Sequence, residues 1–169
     1  MPEIILSKGE RFIRERLQHY NEAKYWKYRT EVISCGGRGG ILSNLICKVK
    51  LLYIKRCDAF NNATLGTHLG FGASFADIPH LPHGLYGIVV THNAVIGKNV
   101  TIYHQVTIGQ GKDGAHKIGD DVQIGAGAII IGNVVIGNRV KIGAGCVVTD
   151  SIPDGATVVM EKPRIILKR

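Results

Sequence analysis

The sequence predicts an all-β parallel solenoid of three-sided coils behind a short helical region, and three periodic features predict it. An aliphatic residue recurs at Val90, Ile96, Ile102 and Ile108, then at Ile118, Ile124, Ile130, Ile136, Ile142 and Val148. Every step is six residues except Ile108 to Ile118, which carries four more. Glycine follows the aliphatic at positions 97, 109, 119, 125, 137 and 143. The fourth residue after it is small or β-branched: Ala94, Val100, Val106, Val122, Ala128, Val134, Val140 and Cys146. Chance alternation in a β-rich domain does not keep phase in this way, and a fixed period overrides any element-by-element reading.

A period of six fits a triangular coil with one short strand per side, so three hexapeptides make a turn of about eighteen residues. The aliphatic points inward and stacks on its equivalent one coil away. Glycine lets the backbone bend at the corner where a Cβ would clash. Each coil buries its apolar face only against neighbouring coils, so several are needed for stability.

Ahead of the repeat, residues 7–30 read as helix, with Ser7 and Glu10 in a capping-box pattern. Gly36, Gly37, Gly39 and Gly40 break it, and Ser43 to Asp58 reads as a second amphipathic helix. Asn61 and Asn62 mark the start of the solenoid. Residues 64–89 form an irregular first coil with Phe71 and Phe75 as expected core, and Ile152-Pro153-Asp154-Gly155 turns the chain out again. The expected organisation is a helical region over residues 1–62, the solenoid domain over 63–155 and a tail over 156–169.

The chain has 169 residues and a net charge of +8. Residues 1–56 hold twelve Lys or Arg against five Glu, so the excess lies almost wholly in the helical region. Such a region suits a solvated helix surface, an anionic lipid surface or nucleic acid. The basic, amphipathic Ile41–Arg56 segment can cap the open end of the solenoid or rest on a membrane surface. It is too short and too charged to span one. The four cysteines (35, 47, 57 and 146) show no metal-binding spacing, so free thiols in a reducing cytosol are expected. The start of the chain lacks the apolar run of a signal peptide. A cytoplasmic protein is therefore expected, with the inner face of the cytoplasmic membrane as a further possibility.

Five of the seven histidines (68, 80, 92, 104 and 116) fall at twelve-residue spacing. Twelve residues is two sides of a three-sided coil, so successive members land on different faces and no metal ladder is expected. His83 lies off this series, in His80-Leu81-Pro82-His83-Gly84-Leu85-Tyr86-Gly87-Ile88-Val89-Val90. There a side chain can leave the wall. Its unperturbed pKa near neutrality suits a general base. His80 is the rival for that role. His104, two past Ile102, faces outward as a wall or substrate contact.

The repeat resembles the hexapeptide-repeat acyltransferases over roughly residues 64–160, which implies a left-handed parallel β-helix that works as a homotrimer with active sites between subunits. The His80–Val90 stretch, Val95–Gly109, the 109–117 insertion ending in His116-Lys117-Ile118-Gly119, and Ile124–Val148 look like the serine acetyltransferase family. That resemblance implies His83 as general base and acetyl-CoA as cosubstrate. It implies His116, at the end of a loop reaching a neighbouring subunit, as a contact that stabilises the oxyanion. It also implies a coenzyme track along Gly125, Ala126, Gly127, Ala128, Gly143 and Ala144, with Lys141, Lys162 and Arg164 at the phosphates. The family's aspartate fifteen residues before the base is missing: that position is His68, and Asp77 is the nearest acid upstream. His80, His104 and Asp77 are the expected acceptor contacts.

The short helical lead and the ending Thr157-Val158-Val159-Met160-Glu161-Lys162-Pro163-Arg164 are similar to serine-acetyltransferase-like polysaccharide O-acetyltransferases, the colanic acid type among them. This implies transfer of acetyl from acetyl-CoA to a sugar hydroxyl of a capsular polysaccharide, exopolysaccharide or O-antigen. The alternatives are L-serine O-acetylation for cysteine synthesis and, from another class, a non-catalytic scaffold or nucleic-acid binder. No nucleic-acid-binding signature supports the last.

Overall fold

The computed structural model describes residues 8–35, 40–110 and 116–161. Three helices come first: α1 (Lys8–Gln18), α2 (Glu22–Ser34) and α3 (Ile41–Phe60). The single helix expected over 7–30 is two. His19 adopts left-handed backbone with φ 49°, which a continuing helix cannot accommodate. Asn21 then caps α2, its side-chain oxygen accepting the Lys24 N–H at 2.9 Å. Ser7, Gly36, Gly37 and Gly39 lie outside the described residues. α3 exceeds the expected Ser43–Asp58 at both ends and has Gly40 at its N-cap.

Cys35 and Cys47 form a disulfide with Cα atoms 6.6 Å apart, which corrects the expectation of four free thiols. The packing of α2 on α3 brings the two together, and their spacing in the sequence carries no sign of it. The cysteine argument for a reducing compartment is thereby withdrawn. Cys57 and Cys146 are free and buried.

α2 and α3 are fixed to the first coil by buried polar groups. Tyr25 donates its hydroxyl to Asp58 at 2.7 Å. The Arg29 guanidinium donates to the Leu65 carbonyl at 3.2 Å and to the Ala73 carbonyl, and lies over the Trp26 and Phe75 rings. Burial pushes the Asp58 carboxyl up to about 6 and the Arg29 guanidinium down to about 10. An antiparallel hairpin, β1 (Thr67–His68) with β2 (Phe71–Gly72), follows. It turns Phe71 outward to stack on His68 at 4.8 Å, so Phe71 is 52% exposed rather than core. Phe75 packs against Trp26 at 5.1 Å, as expected of a core residue.

Three parallel walls then form the coil. The first holds β4 (Val89–Val90), β7 (Thr107–Ile108), β10 (Ile129–Ile130) and β13 (Val147–Val148). The second holds β3 (Ser74–Phe75), β5 (Val95–Ile96), β8 (Lys117–Ile118) and β11 (Val135–Ile136). The third holds β6 (Thr101–Ile102), β9 (Gln123–Ile124), β12 (Lys141–Ile142) and β14 (Thr157–Val158). Val89 faces Thr107 and Ile129 faces Val147 eighteen residues on, while Thr107 faces Ile129 across the insertion, so the four extra residues leave the register intact. The chain turns at 152–155 but does not leave the coil there, because β14 pairs with β12 and adds one more side.

In the regular strands from β4 to β13 the second residue is the buried aliphatic and the first faces out. Each fully buried aliphatic contributes about 1.5–3 kcal/mol relative to exposure. At the corner between the second and third walls, side chains stitch coil to coil. Asp120 Oδ1 accepts the Lys98 N–H at 2.7 Å, Asn138 Oδ1 the Asp120 N–H at 2.8 Å, and Asp154 Oδ1 the Asn138 N–H at 2.9 Å. Glycine is required beside them: a Cβ on Gly97 would stand 2.5 Å from both Gly119 O and Asp120 Oδ1.

Candidate functional site

The corner between the third and first walls is built differently. Tyr86-Gly87, His104-Gln105, Ala126-Gly127 and Ala144-Gly145 stack there, one pair per coil. Backbone bonds join them: Gln105 N–H to Tyr86 O at 3.0 Å, Gly127 N–H to His104 O at 3.0 Å, and Gly145 N–H to Ala126 O at 2.8 Å. The second residue of each pair has positive φ, 66°, 58°, 67° and 69° in turn. No atom lies within 4 Å of where a Cβ on Gly127 would stand. The lower part of this edge is thus backbone and methyl groups, with the Met160 sulfur beside Gly145.

At its head stand two histidines. His83 sits in a turn pinned by buried Leu81 and Leu85 and closed by the Gly84 N–H donating to Leu81 O at 3.0 Å. Its Nδ1 lies 2.5 Å from His104 Nδ1. The Tyr103 ring meets His83 edge-on at 5.8 Å. Two ring nitrogens in contact share one hydrogen, so one imidazole donates and the other accepts. A cleft of about 410 Å³ opens over the pair. It is lined by Tyr86, by Leu17 and Gln18 at the end of α1, and by Phe60 and Asn61 at the end of α3.

The other expected site residues fall apart into four groups. Gly125, Ala126, Gly127, Gly143 and Ala144 lie on the bare corner, and Lys141 faces outward from β12. Ala128 is fully buried and fills the core, so it offers no surface to a ligand. Lys162 and Arg164 lie outside the described residues. His80 and Asp77 are exposed, and neither lines the cleft; His80 instead bridges Thr101 on the third wall.

His116 differs most from expectation. It stands immediately before β8, as Ala94 stands before β5 and Val134 before β11, and its side chain is fully buried. The inserted residues end before it, so the ring takes the small-residue position of the repeat and points into the core. Neither ring nitrogen has a hydrogen-bond partner among the described residues. Burial holds its pKa below the ordinary histidine value. The role of His104 as partner to His83 was the missed feature. The coil count puts His104 at the corner one coil beyond Tyr86, but the meeting of its ring with His83 depends on the turn at 81–85, which the count does not fix. Among the described residues no group of three or more His, Cys, Asp or Glu is placed to hold a metal ion.

The bacterial transferase hexapeptide (six repeats) profile matches residues 115–150. Over those residues the chain carries the repeat of the bacterial hexapeptide transferases. Its three-walled parallel solenoid fits a left-handed β-helix. This hexapeptide-repeat chain is 49% identical over 86 residues to the putative colanic acid biosynthesis acetyltransferase WcaB of Escherichia coli (strain K12), covering 49% of this chain and 52% of that protein. It is 50% identical over 84 residues to chloroplastic serine acetyltransferase 1 of Arabidopsis thaliana, covering 47% of this chain and 27% of that one. It therefore spans about half of the first relative's length and about a quarter of the second's. Among solved structures, soybean serine acetyltransferase apoenzyme superposes with TM-score 0.60 at 33% identity, covering 82% of this chain and 54% of that one. Serine acetyltransferase of Neisseria gonorrhoeae in complex with serine superposes with TM-score 0.57 at 25% identity, covering 90% and 74%.

Proposed function

We propose that the protein is an acetyl-CoA-dependent O-acetyltransferase that acetylates a sugar hydroxyl of a bacterial surface-polysaccharide precursor, with His83 as general base. The observation that carries this reading is the His83–His104 pair at the head of a bare backbone edge. For His83 Nε2 to accept a proton, its Nδ1 must carry the hydrogen and donate it to His104 Nδ1. His83 then takes the hydroxyl proton as the oxygen attacks the thioester carbonyl, and returns it to the departing thiolate. While it holds that proton its Nδ1–H bond to His104 is charge-assisted and stronger. His104 thus does by hydrogen bonding what the missing aspartate would do with a full charge.

The edge below the pair fits a pantetheine arm. Ala126, Gly127, Ala144 and Gly145 leave backbone groups reachable, and Lys141, outward on β12, supplies charge toward the phosphates. The cleft supports the saccharide acceptor. Among the described residues its lining carries aromatic rings, amides and imidazoles but no carboxylate, ammonium or guanidinium. Burying the zwitterion of L-serine without charged partners is costly, whereas ring faces and amides suit a saccharide. The colanic acid relative supports the same acceptor class, and the serine acetyltransferase relatives support L-serine as the second reading.

Active sites shared between copies accord with the outward residues of the walls. Val89, Ile129 and Val147 on the first wall and Val95 and Val135 on the second are all at least 36% exposed. The third wall shows Thr101, Gln123, Lys141 and Thr157 at those positions. Association through the first two walls into a trimer would cover these five apolar side chains, which alternate with Thr107, Ser74 and Lys117. No helix among the described residues is long and apolar enough to cross a membrane. The need for acetyl-CoA favours the cytoplasm.

The deciding experiment is thiol release from acetyl-CoA with L-serine and with a panel of saccharides in parallel. Turnover with saccharides alone supports the proposal. Fast turnover with L-serine replaces it with serine acetylation, and failure to bind acetyl-CoA favours the scaffold reading. The base assignment has its own test in 15N NMR: His83 should be the Nδ1–H tautomer, and His104→Ala should shift it toward Nε2–H. An Nε2–H tautomer of His83 in the unsubstituted protein would overturn the assignment.

A further inference from the structure

α3 carries an apolar face that is left exposed among the described residues. Ile41, Leu42, Leu45, Ile46, Val49 and Leu52 are 92, 71, 56, 45, 61 and 69% exposed. At helical spacing they share one side, opposite the buried Cys47, Ile54, Cys57 and Asp58 that face the rest of the fold. The same side continues to Phe60, 54% exposed, which lines the His83–His104 cleft. The charges beside this face have one sign. Lys48 is exposed and Lys55 half-buried at its edge, Arg56 is exposed on the face itself between Leu52 and Phe60, Lys50 is paired with Glu31, and the helix's single acid, Asp58, is buried on the far side.

We infer that α3 docks flat on an anionic bilayer surface and brings a lipid-linked acceptor to the cleft beside Phe60. An amphipathic helix with a broad apolar face and flanking cations binds in the interfacial plane by burying that face while its cations meet the headgroups. A second copy is the poorer occupant. Pairing this face with itself would gather Lys48 and Arg56 of both chains with no acid opposite, and like charges then oppose the apolar gain. Continuity of the face with the cleft also gives docking a use, since the acceptor's lipid end would remain in the bilayer while its sugar reaches His83. The acceptor clause rests on the O-acetyltransferase reading; the docking itself does not.

The test is sedimentation of the full chain with vesicles of phosphatidylcholine alone and of phosphatidylcholine mixed with phosphatidylglycerol. Binding to the mixed vesicles should be strong at low salt, weak in high salt and absent with phosphatidylcholine alone. The Leu45→Glu/Leu52→Glu double variant should lose about tenfold or more in vesicle affinity, with thiol release on a soluble saccharide unchanged. Failure of the unsubstituted protein to bind mixed vesicles overturns the docking. So does a double variant whose assembly shrinks in light scattering while its vesicle binding is unchanged, which would make the face a contact between copies. Vesicle binding without thiol release on any acceptor would retain docking and refute the enzymatic reading; thiol release without vesicle binding would do the reverse. For the acceptor clause, a lipid-linked saccharide in vesicles should show a lower KM than the same saccharide free, and equal KM values would overturn it.

Discussion

Two corners of this β-helix obey the same six-residue count and are built in opposite ways. Between the second and third walls, Asp120, Asn138 and Asp154 each accept a backbone N–H from the preceding coil. Between the third and first walls the coils are joined by backbone bonds alone, and the edge is occupied by Gly127, Gly145 and their alanine neighbours. Folding needs the first arrangement: it satisfies corner amides and locks the stacking. The second spends no side chains on stitching and leaves its backbone reachable, and the one place where it bears large polar groups is its head, where His104 meets His83. A repeat that could stitch every corner leaves one bare, and that bare corner leads to the cleft.

The contrast is broken most forcefully at the head of the bare corner. His83→Ala should lower turnover by about 10²- to 10⁴-fold, the usual contribution of a positioned general base. The assembly and the affinity for acetyl-CoA should persist, because the side chain is exposed and lies outside the core. Stopped assays of thiol release together with calorimetric binding of CoA separate the two effects. Near-normal turnover in a folded His83→Ala protein would move the base elsewhere, with His80 the first alternative.

The same methyl group placed at each corner sharpens the comparison next. Gly97→Ala puts a Cβ 2.5 Å from the Gly119 carbonyl oxygen, a backbone atom that cannot swing away. Overpacking of this kind costs about 1–3 kcal/mol, so thermal unfolding should move down with kcat and KM intact. Gly127→Ala meets no atom within 4 Å, but its φ of 67° strains any side chain, a cost of roughly 1 kcal/mol. Its signature should be kinetic, a raised KM for acetyl-CoA at unchanged kcat, as expected where ground-state and transition-state binding are lost together. Equal behaviour of the two variants would show that the corners do not differ in use.

Most of the β-helix was legible because its rule is periodic. The aliphatic at each sixth residue, the small residue four later and the corner glycine are all core or close-approach requirements that repeat in every coil. What was illegible depends on contacts between segments that share no period. The Cys35–Cys47 disulfide needs the angle of α2 against α3. The outward turn of Phe71 needs the β1–β2 hairpin, and the split of the first helix needs the left-handed backbone of His19. Among the site residues, His83 was visible from its irregular, glycine-bounded surroundings. Its partner was not, because a distance between two rings on adjacent coils is a property of the turn at 81–85. His116 was misplaced for a counting reason: treating the whole insertion as loop hid that its last residue takes the inward position.

His116 supplies a prediction on the second wall, away from both corners. Its pKa is lowered by burial, so as pH falls through the ordinary histidine range the unfolded chain takes up a proton that the native ring resists. Stability should therefore be fully present above about pH 6.5 and fall on the acid side at up to ~1.4 kcal/mol per pH unit. Asp58 acts in the opposite sense: its carboxyl is raised to about 6, so its contribution is fullest at low pH and is lost as pH rises through that value. His116→Val places the residue type that the repeat uses at this position and removes the unpartnered nitrogens. Its melting temperature should exceed the parent's, by more at pH 5 than at pH 8. An equal gain at both would mean that the ring titrates normally and that its burial costs nothing in charge.

The smallest effect belongs to the stitched corner taken one bond at a time. Asp120→Ala removes the acceptor for the Lys98 N–H while leaving Asp120's own N–H bond to Asn138 in place. The corner is exposed, so water replaces the lost oxygen and the cost should be about 1 kcal/mol. The expected change is a small downward shift in melting temperature with kinetic constants unaltered. Asp120→Asn should recover most of it, since an amide oxygen accepts the same bond. If the alanine variant instead altered KM for acetyl-CoA, the stitched corner would be communicating with the bare one, and the division of labour between them would fail.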